Sequence, residues 1–200
     1  MATDVRQSAL PLRDRHRERT RLEIINAYAD LSLERGFNNF TMQDIADRVG
    51  ISHRTLYRYF ENREAIVDGL DQEVGERVHG PGDDRFLDRA EALRHNYRVF
   101  GQYRKPMLVS SLMIEAGMFA APGRKARDAY VRRLVEDRAS NLNATGKRQL
   151  FGLLRLVAGA TAWARLTSNE IGLTDDEAGA ASAWAIGALV DAAMKHEGAF

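Results

Sequence analysis

Cysteine is absent from this 200-residue chain, which excludes disulfides and thiolate metal sites and suits a reducing compartment. Proline is scarce, with four residues, and period-two alternation is missing, while Ala, Leu, Arg and Glu dominate. That combination describes an all-α chain. No apolar run approaches the roughly 20 residues a membrane helix needs, and the first residues lack the apolar stretch of a secretion signal. A soluble cytoplasmic protein with no membrane partner is the expectation. An excess of one charge is lacking too: 29 basic and 28 acidic residues leave a net charge of +1. Catalytic signatures are missing: there is no phosphate-binding glycine loop, no H-E-x-x-H and no nucleophile elbow. His16, His53, His79, His95 and His196 are scattered without ligand spacing. No enzyme, no metal and no cofactor is expected.

What is present is local. Arg13, Arg15, Arg17, Arg19 and Arg21 crowd the N-terminal segment, and clustered positive charge matters more for binding a polyanion than the net value. The stretch from Phe40 to Arg63 reads FTMQDIADRVGISHRTLYRYFENR. Thr41 followed by Asp44 is a helix-start signature, with the acid at the positive helix end. Ile45, Ala46 and Val49 form the apolar stripe of a very short helix, and Gly50 supplies the turn after it. Ile51 plugs the corner and Ser52 caps a second short helix, expected to run to Phe60, on which Leu56 and Phe60 share a face. His53, Arg54, Tyr57 and Arg58 point elsewhere. Two short helices joined by a glycine turn, the second rich in Arg, Tyr and hydroxyl groups, read as a helix-turn-helix.

With Ile24, Ala27 and the Glu34-Arg35-Gly36-Phe37 turn ahead of it, this segment resembles the DNA-binding domain of TetR-family transcriptional regulators. Thr41, Ile45, Ala46, Gly50, Ile51, Ser52, Leu56, Tyr57, Tyr59 and Phe60 fall in register with the family pattern, over roughly the first third of the chain. Arg63 stands where Lys is usual, and His53-Arg54 where many members have small residues.

The rest of the chain divides by its breakers. Residues 1–15 read as a mobile basic arm, either a plain tail or an arm reaching phosphates or the minor groove. A first long helix is expected from near Arg17 to Arg35, with Leu22, Ile25, Ala29 and Leu33 inward and Ile24, Tyr28 and Leu31 widening the stripe. Residues 16–79 then make the head with its connecting helix, and residues 80–200 the regulatory domain, after Gly80-Pro81-Gly82. In that second part, helices are expected over Asp84–Arg104, Met107–Phe119, Arg124–Leu142, Lys147–Ser168 and Asp175–His196, about nine helices in total. The Met107–Phe119 stretch, apolar nearly all round, should be buried. Thr174 to Glu177 is a second capping box. The last two helices mix Ala and Gly with large apolar residues and carry more apolar surface than one copy covers.

The resemblance implies the roles. The Ser52–Phe60 helix lies in the major groove, where His53, Arg54 and Thr55 reach base edges and Gln43 a base or phosphate. Thr41, Thr55, Tyr57, Tyr59 and Arg63 match family positions that contact phosphate. Double-stranded DNA with a palindromic operator, a homodimer partner and a small-molecule effector follow as expected partners. Tyr97, Phe100, Tyr103, Met107, Met113, Met118, Phe119 and Trp163 are residue types that line an apolar effector pocket, though Met and aromatics at helical spacing are more often plain core. Leu153, Val157, Thr161, Ala181, Trp184 and Ala188 are the expected dimer face. The expected function is a repressor released from DNA by a small hydrophobic ligand. The alternatives are a DNA-binding protein of the same fold without inducer, or a small-molecule-binding or enzymatic bundle.

Overall fold

The computed structural model describes residues 11–79, 90–117 and 124–200. Among them the chain is helical throughout, with ten α-helices: α1 Leu12–Arg35, α2 Met42–Val49, α3 His53–Tyr57, α4 Arg63–His79, α5 Ala90–Gln102, α6 Arg104–Glu115, α7 Arg124–Arg138, α8 Ala144–Val157, α9 Ala160–Leu166 and α10 Asp175–Met194. They form two compact units, Met1–Leu70 and Asp71–Phe200, with α4 running through the division.

In the first unit, α1 packs on α2, and α2 on α3. The helix α1 begins at Leu12, about a turn ahead of the expected Arg17; residues 1–10 of the expected arm lie outside the described residues. Its buried face is Ile24, Ala27, Tyr28 and Leu31, joined by Ile25 and Ala29, whereas Leu33 is 46% exposed. The stripe expected on Leu22 and Leu33 therefore turns about one residue further round the helix. Tyr28 and Phe40 meet edge to face at 5.5 Å, and burial pushes the Tyr28 hydroxyl pKa up.

In the second unit, α5 and α10 share the longest seam, and α8, α9 and α6 complete the layer around them. Gly179 makes the close approach possible: a Cβ there would stand 2.7 Å from the Arg94 Cα. Tyr97 and Trp163, fully buried, and Phe100, 2% exposed, form an aromatic core, with Phe100 and Trp163 edge to face at 5.9 Å. Their polar tips satisfy helix ends. The Tyr97 hydroxyl donates to Val157 O at 2.7 Å and meets Ser182 Oγ at 2.9 Å. The Trp163 indole N–H donates to Asp175 Oδ1 at 2.8 Å, and Arg104 donates to Thr167 O at 2.8 Å.

Several expected helix ends move, among them that of Arg124–Leu142, which ends at Arg138. The helix expected from Lys147 to Ser168 starts at Ala144, capped by Asn143, and breaks at Gly159, which is extended (φ −88°, ψ 166°) and caps α9. The break before Lys105-Pro106 falls at Tyr103, so Pro106 occupies the first turn of α6, where its missing N–H costs nothing. The α6 stretch is not buried all round, since Leu112 is 47% exposed. Residues 195–200 fold back on the start of α8: Gly198 O accepts from Asn143 N at 3.0 Å, and Phe200 N donates to Gln149 Oε1 at 3.0 Å.

Candidate nucleic-acid interface

The head is assembled by local signals. Thr41 closes a full capping box on α2: its Oγ1 accepts from Asp44 N at 3.2 Å, and its own N–H donates to Asp44 Oδ2 at 2.7 Å. The Thr41 hydroxyl, its backbone N–H and then Arg35 hold the Asp44 carboxyl below its usual range. Gly50, at φ 78° and ψ 33°, adopts the left-handed conformation that ends α2, and its N–H returns to Ala46 O and Asp47 O. Ser52 then caps α3, accepting from Thr55 N at 3.1 Å. The helix α3 ends at Tyr57, with Arg58 as its C-cap, short of the expected Phe60. Ile45, Ala46, Leu56 and Phe60 are buried beneath it, and this apolar floor fixes which face of α3 looks outward.

That outward face carries His53, Arg54, Tyr57 and Arg58, all exposed, with the Tyr57 ring 46% accessible. The His53 and Tyr57 rings meet edge to face at 4.7 Å. Among the described residues Arg54 and Arg58 make no ion pair, although nearby arginines are neutralised: Arg48 forks onto Glu34 at 3.0 and 2.6 Å, and Arg35 reaches Asp44 at 3.3 Å. Two like charges four residues apart disfavour a helix by a few tenths of a kcal/mol, roughly. Their unanswered charge on so short a helix is a cost to folding, and it leaves ten N–H donors available to an anion.

The remaining expected contacts divide. Ser52, His53, Arg54, Thr55 and Tyr57 come together on α3, where the Ser52 and Thr55 hydroxyls lie 2.8 Å apart. Thr41 and Gln43 sit at the start of α2, each engaged locally; Gln43 donates to Asp47 Oδ1 at 2.6 Å. Tyr59 is half-buried in the turn after α3. Arg63 opens α4 with its guanidinium donating to Phe37 O at 2.8 Å and standing 4.3 Å over the Phe40 ring. Its planar head is a structural tie as well as a candidate phosphate donor, and Lys could not stack in the same way. Arg58 was absent from the expected contacts; its spacing of four from Arg54 was the available signal.

In the second unit, Tyr97, Phe100 and Trp163 stand together as the packed core, Met107 and Met113 are buried and Tyr103 is half-buried. Met118 and Phe119 lie outside the described residues. Of the expected dimer face, Leu153, Ala181, Trp184 and Ala188 are exposed, Trp184 at 77%, and Val157 and Thr161 are half-buried. Leu156, three residues from Leu153, is 59% exposed and was not among the expected residues.

Residues 24–70 match the family model described as bacterial regulatory proteins, tetR family. The HTH-type transcriptional repressor KstR2 of Rhodococcus jostii is 42% identical over 50 residues, which cover 25% of this chain and 24% of that protein. The HTH-type transcriptional regulator AlkX of Mycobacterium tuberculosis is 28% identical over 95 residues, covering 46% and 45%. The chain thus spans less than half the length of these curated relatives. A solved TetR family transcription regulator from Marinobacter aquaeolei VT8 shares the fold, with a TM-score of 0.57 at 19% identity over 86% of this chain and 97% of that one. The matched segment, residues 24–70, contains the capped α2–α3 pair and is similar to the TetR family of bacterial regulatory proteins, and the fold is shared with a solved regulator of that family.

Proposed function

We propose that the protein is a DNA-binding transcriptional regulator, acting in the cytoplasm as a repressor on a palindromic operator. The observation that carries this is the unneutralised Arg54–Arg58 pair beside His53 and Tyr57 on an outward face fixed from below by Leu56 and Phe60. Arg54 pairs with the two acceptors of guanine, His53 and Thr55 test neighbouring bases, and Tyr57, Arg58 and Thr41 hold phosphates. The repressor role is supported by the name of KstR2, and no helix among the described residues is long and apolar enough to cross a membrane.

One such helix makes too few contacts for selective binding. Two copies reading half-sites about one helical turn apart supply them, which is why the operator is expected to be palindromic. Exposed Leu153, Leu156 and Trp184 on α8 and α10 support pairing through those helices. Gly152 and Gly187 face open space on the same helices, so a second pair of helices can approach closely.

Effector release is the finer part of the proposal, with a small hydrophobic ligand entering the second unit beside Met107 and Met113. A specific observation favours the variant reading without inducer: Tyr97, Phe100 and Trp163 are packed and their polar groups are already bonded within the chain. A gel shift on DNA from upstream of the protein's own gene tests the main proposal. Retarded duplex with the parent chain and loss with Arg54→Ala supports it; unchanged retardation with Arg54→Ala and Tyr57→Ala contradicts it. Hydrophobic small molecules added to the retarded complex decide between the inducible and non-inducible forms.

A further inference from the structure

The seam between α7 and α8 departs from the rule that facing helix stripes are apolar. Arg132, Val135 and Glu136 lie on one face of α7, and Ala144, Lys147, Arg148 and Phe151 on one face of α8. Together they line an open groove of about 340 Å³. That volume falls at the small end of sites for organic ligands. Three cations and one carboxylate line it. Arg132 holds its guanidinium 4.3 Å over the Phe151 ring, a stacking that leaves its N–H donors free in the plane, and it donates no hydrogen bond among the described residues. Arg148 commits one nitrogen, to Thr145 Oγ1 at 3.1 Å. The positive end of α8 opens onto the same groove, its first N–H groups capped by Asn143.

We propose that this groove binds a small organic anion, a carboxylate or phosphate ester carried on an apolar or aromatic body. The anionic head takes the in-plane donors of Arg132 and Arg148, and the apolar part covers Phe151 and the edge of Val135. Glu136 is an internal competitor: its carboxylate pairs with Lys147, and being 62% exposed it can turn into water when an anion arrives. This site stands apart from the aromatic core around Trp163 and does not depend on the DNA-binding reading.

Calorimetric titration of the full chain with phenyl phosphate at low salt tests it, with inorganic phosphate and benzoate as separate arms. The expected result is saturable one-to-one binding, tighter for phenyl phosphate or benzoate than for inorganic phosphate, and weakened by salt. Arg132→Ala and Arg148→Ala should each weaken it about tenfold, the size of a lost charge-assisted bond. Glu136→Gln should tighten it several-fold, a gain that general surface attraction to a cation cluster would not give with the same one-to-one stoichiometry. All three positions are exposed or half-exposed, and unchanged helical signal on heating verifies the fold of each variant. No saturable heat at millimolar probe, inorganic phosphate binding as tightly as phenyl phosphate, indifference to both arginine changes, or weaker binding in Glu136→Gln would each overturn it.

Discussion

Arg54 on α3 and Arg58 at its C-cap stand four residues apart with no carboxylate among the described residues to answer either, and this sets the first expectation at the level of single residues. Arg54→Ala should cost about 1–3 kcal/mol on the preferred operator and relax preference at one base position. Arg58→Ala should weaken binding to all sequences alike. A competition assay across operator variants separates the two patterns. Tyr97 gives a second expectation, in the second unit. Burial pushes its hydroxyl from 10.0 up to about 12, so the folded chain keeps the proton that the unfolded chain loses. The stability it contributes is whole below about pH 10 and falls by about 2 kcal/mol as pH rises to 12. Tyr97→Phe should remove that alkaline loss, while costing about 1–3 kcal/mol at neutral pH because Val157 O loses its donor. Denaturant titrations at pH 7 and pH 11 measure both.

At the level of helices, the local signals and the tertiary ones part company. Thr41, Ser52 and Thr174 each accept from a backbone N–H at the start of the expected helix, so these starts were legible in the sequence. A cap needs only residues three apart, and no distant chain. The break at Gly159 was not legible, because Ala158-Gly159-Ala160 interrupts a helix only mildly. What stabilises the break is the Tyr97 hydroxyl, reaching Val157 O across 60 residues of sequence. The same holds for the outward Leu112 and Leu33: periodicity marks an apolar residue, and only packing decides whether another helix covers it. The outward face of α3 was legible because Leu56 and Phe60 fix it from within the motif, whereas the expected pocket residues Tyr97, Phe100 and Trp163 gained their neighbours from several helices far apart in sequence. Two substitutions test this level by thermal unfolding. Gly50→Ala should cost about 1–2 kcal/mol, since φ 78° strains a Cβ even in open space. Gly179→Ala should cost a similar ~1–3 kcal/mol for another reason, the 2.7 Å approach to the Arg94 backbone that forces α5 and α10 apart.

For the whole molecule, the account requires two copies. Trp184, 77% exposed on α10, is the strongest single argument, because so large an apolar surface left in water is poorly explained by one copy alone. Trp184→Glu should shift the chain from dimer to monomer in sedimentation equilibrium while leaving its helical content unchanged. It should also weaken operator binding more than any single arginine change, since both half-sites are then bound separately. The most direct measurement of the central claim is a salt titration of duplex binding by fluorescence anisotropy, parent against Arg54→Ala/Arg58→Ala. The account predicts tight binding by the parent, with log affinity falling linearly against log salt, and in the variant a lower affinity with a slope shallower by about one phosphate-equivalent per copy, that of Arg58. Parent and variant curves that superimpose, or a parent chain that leaves duplex DNA unbound at low salt, would contradict it.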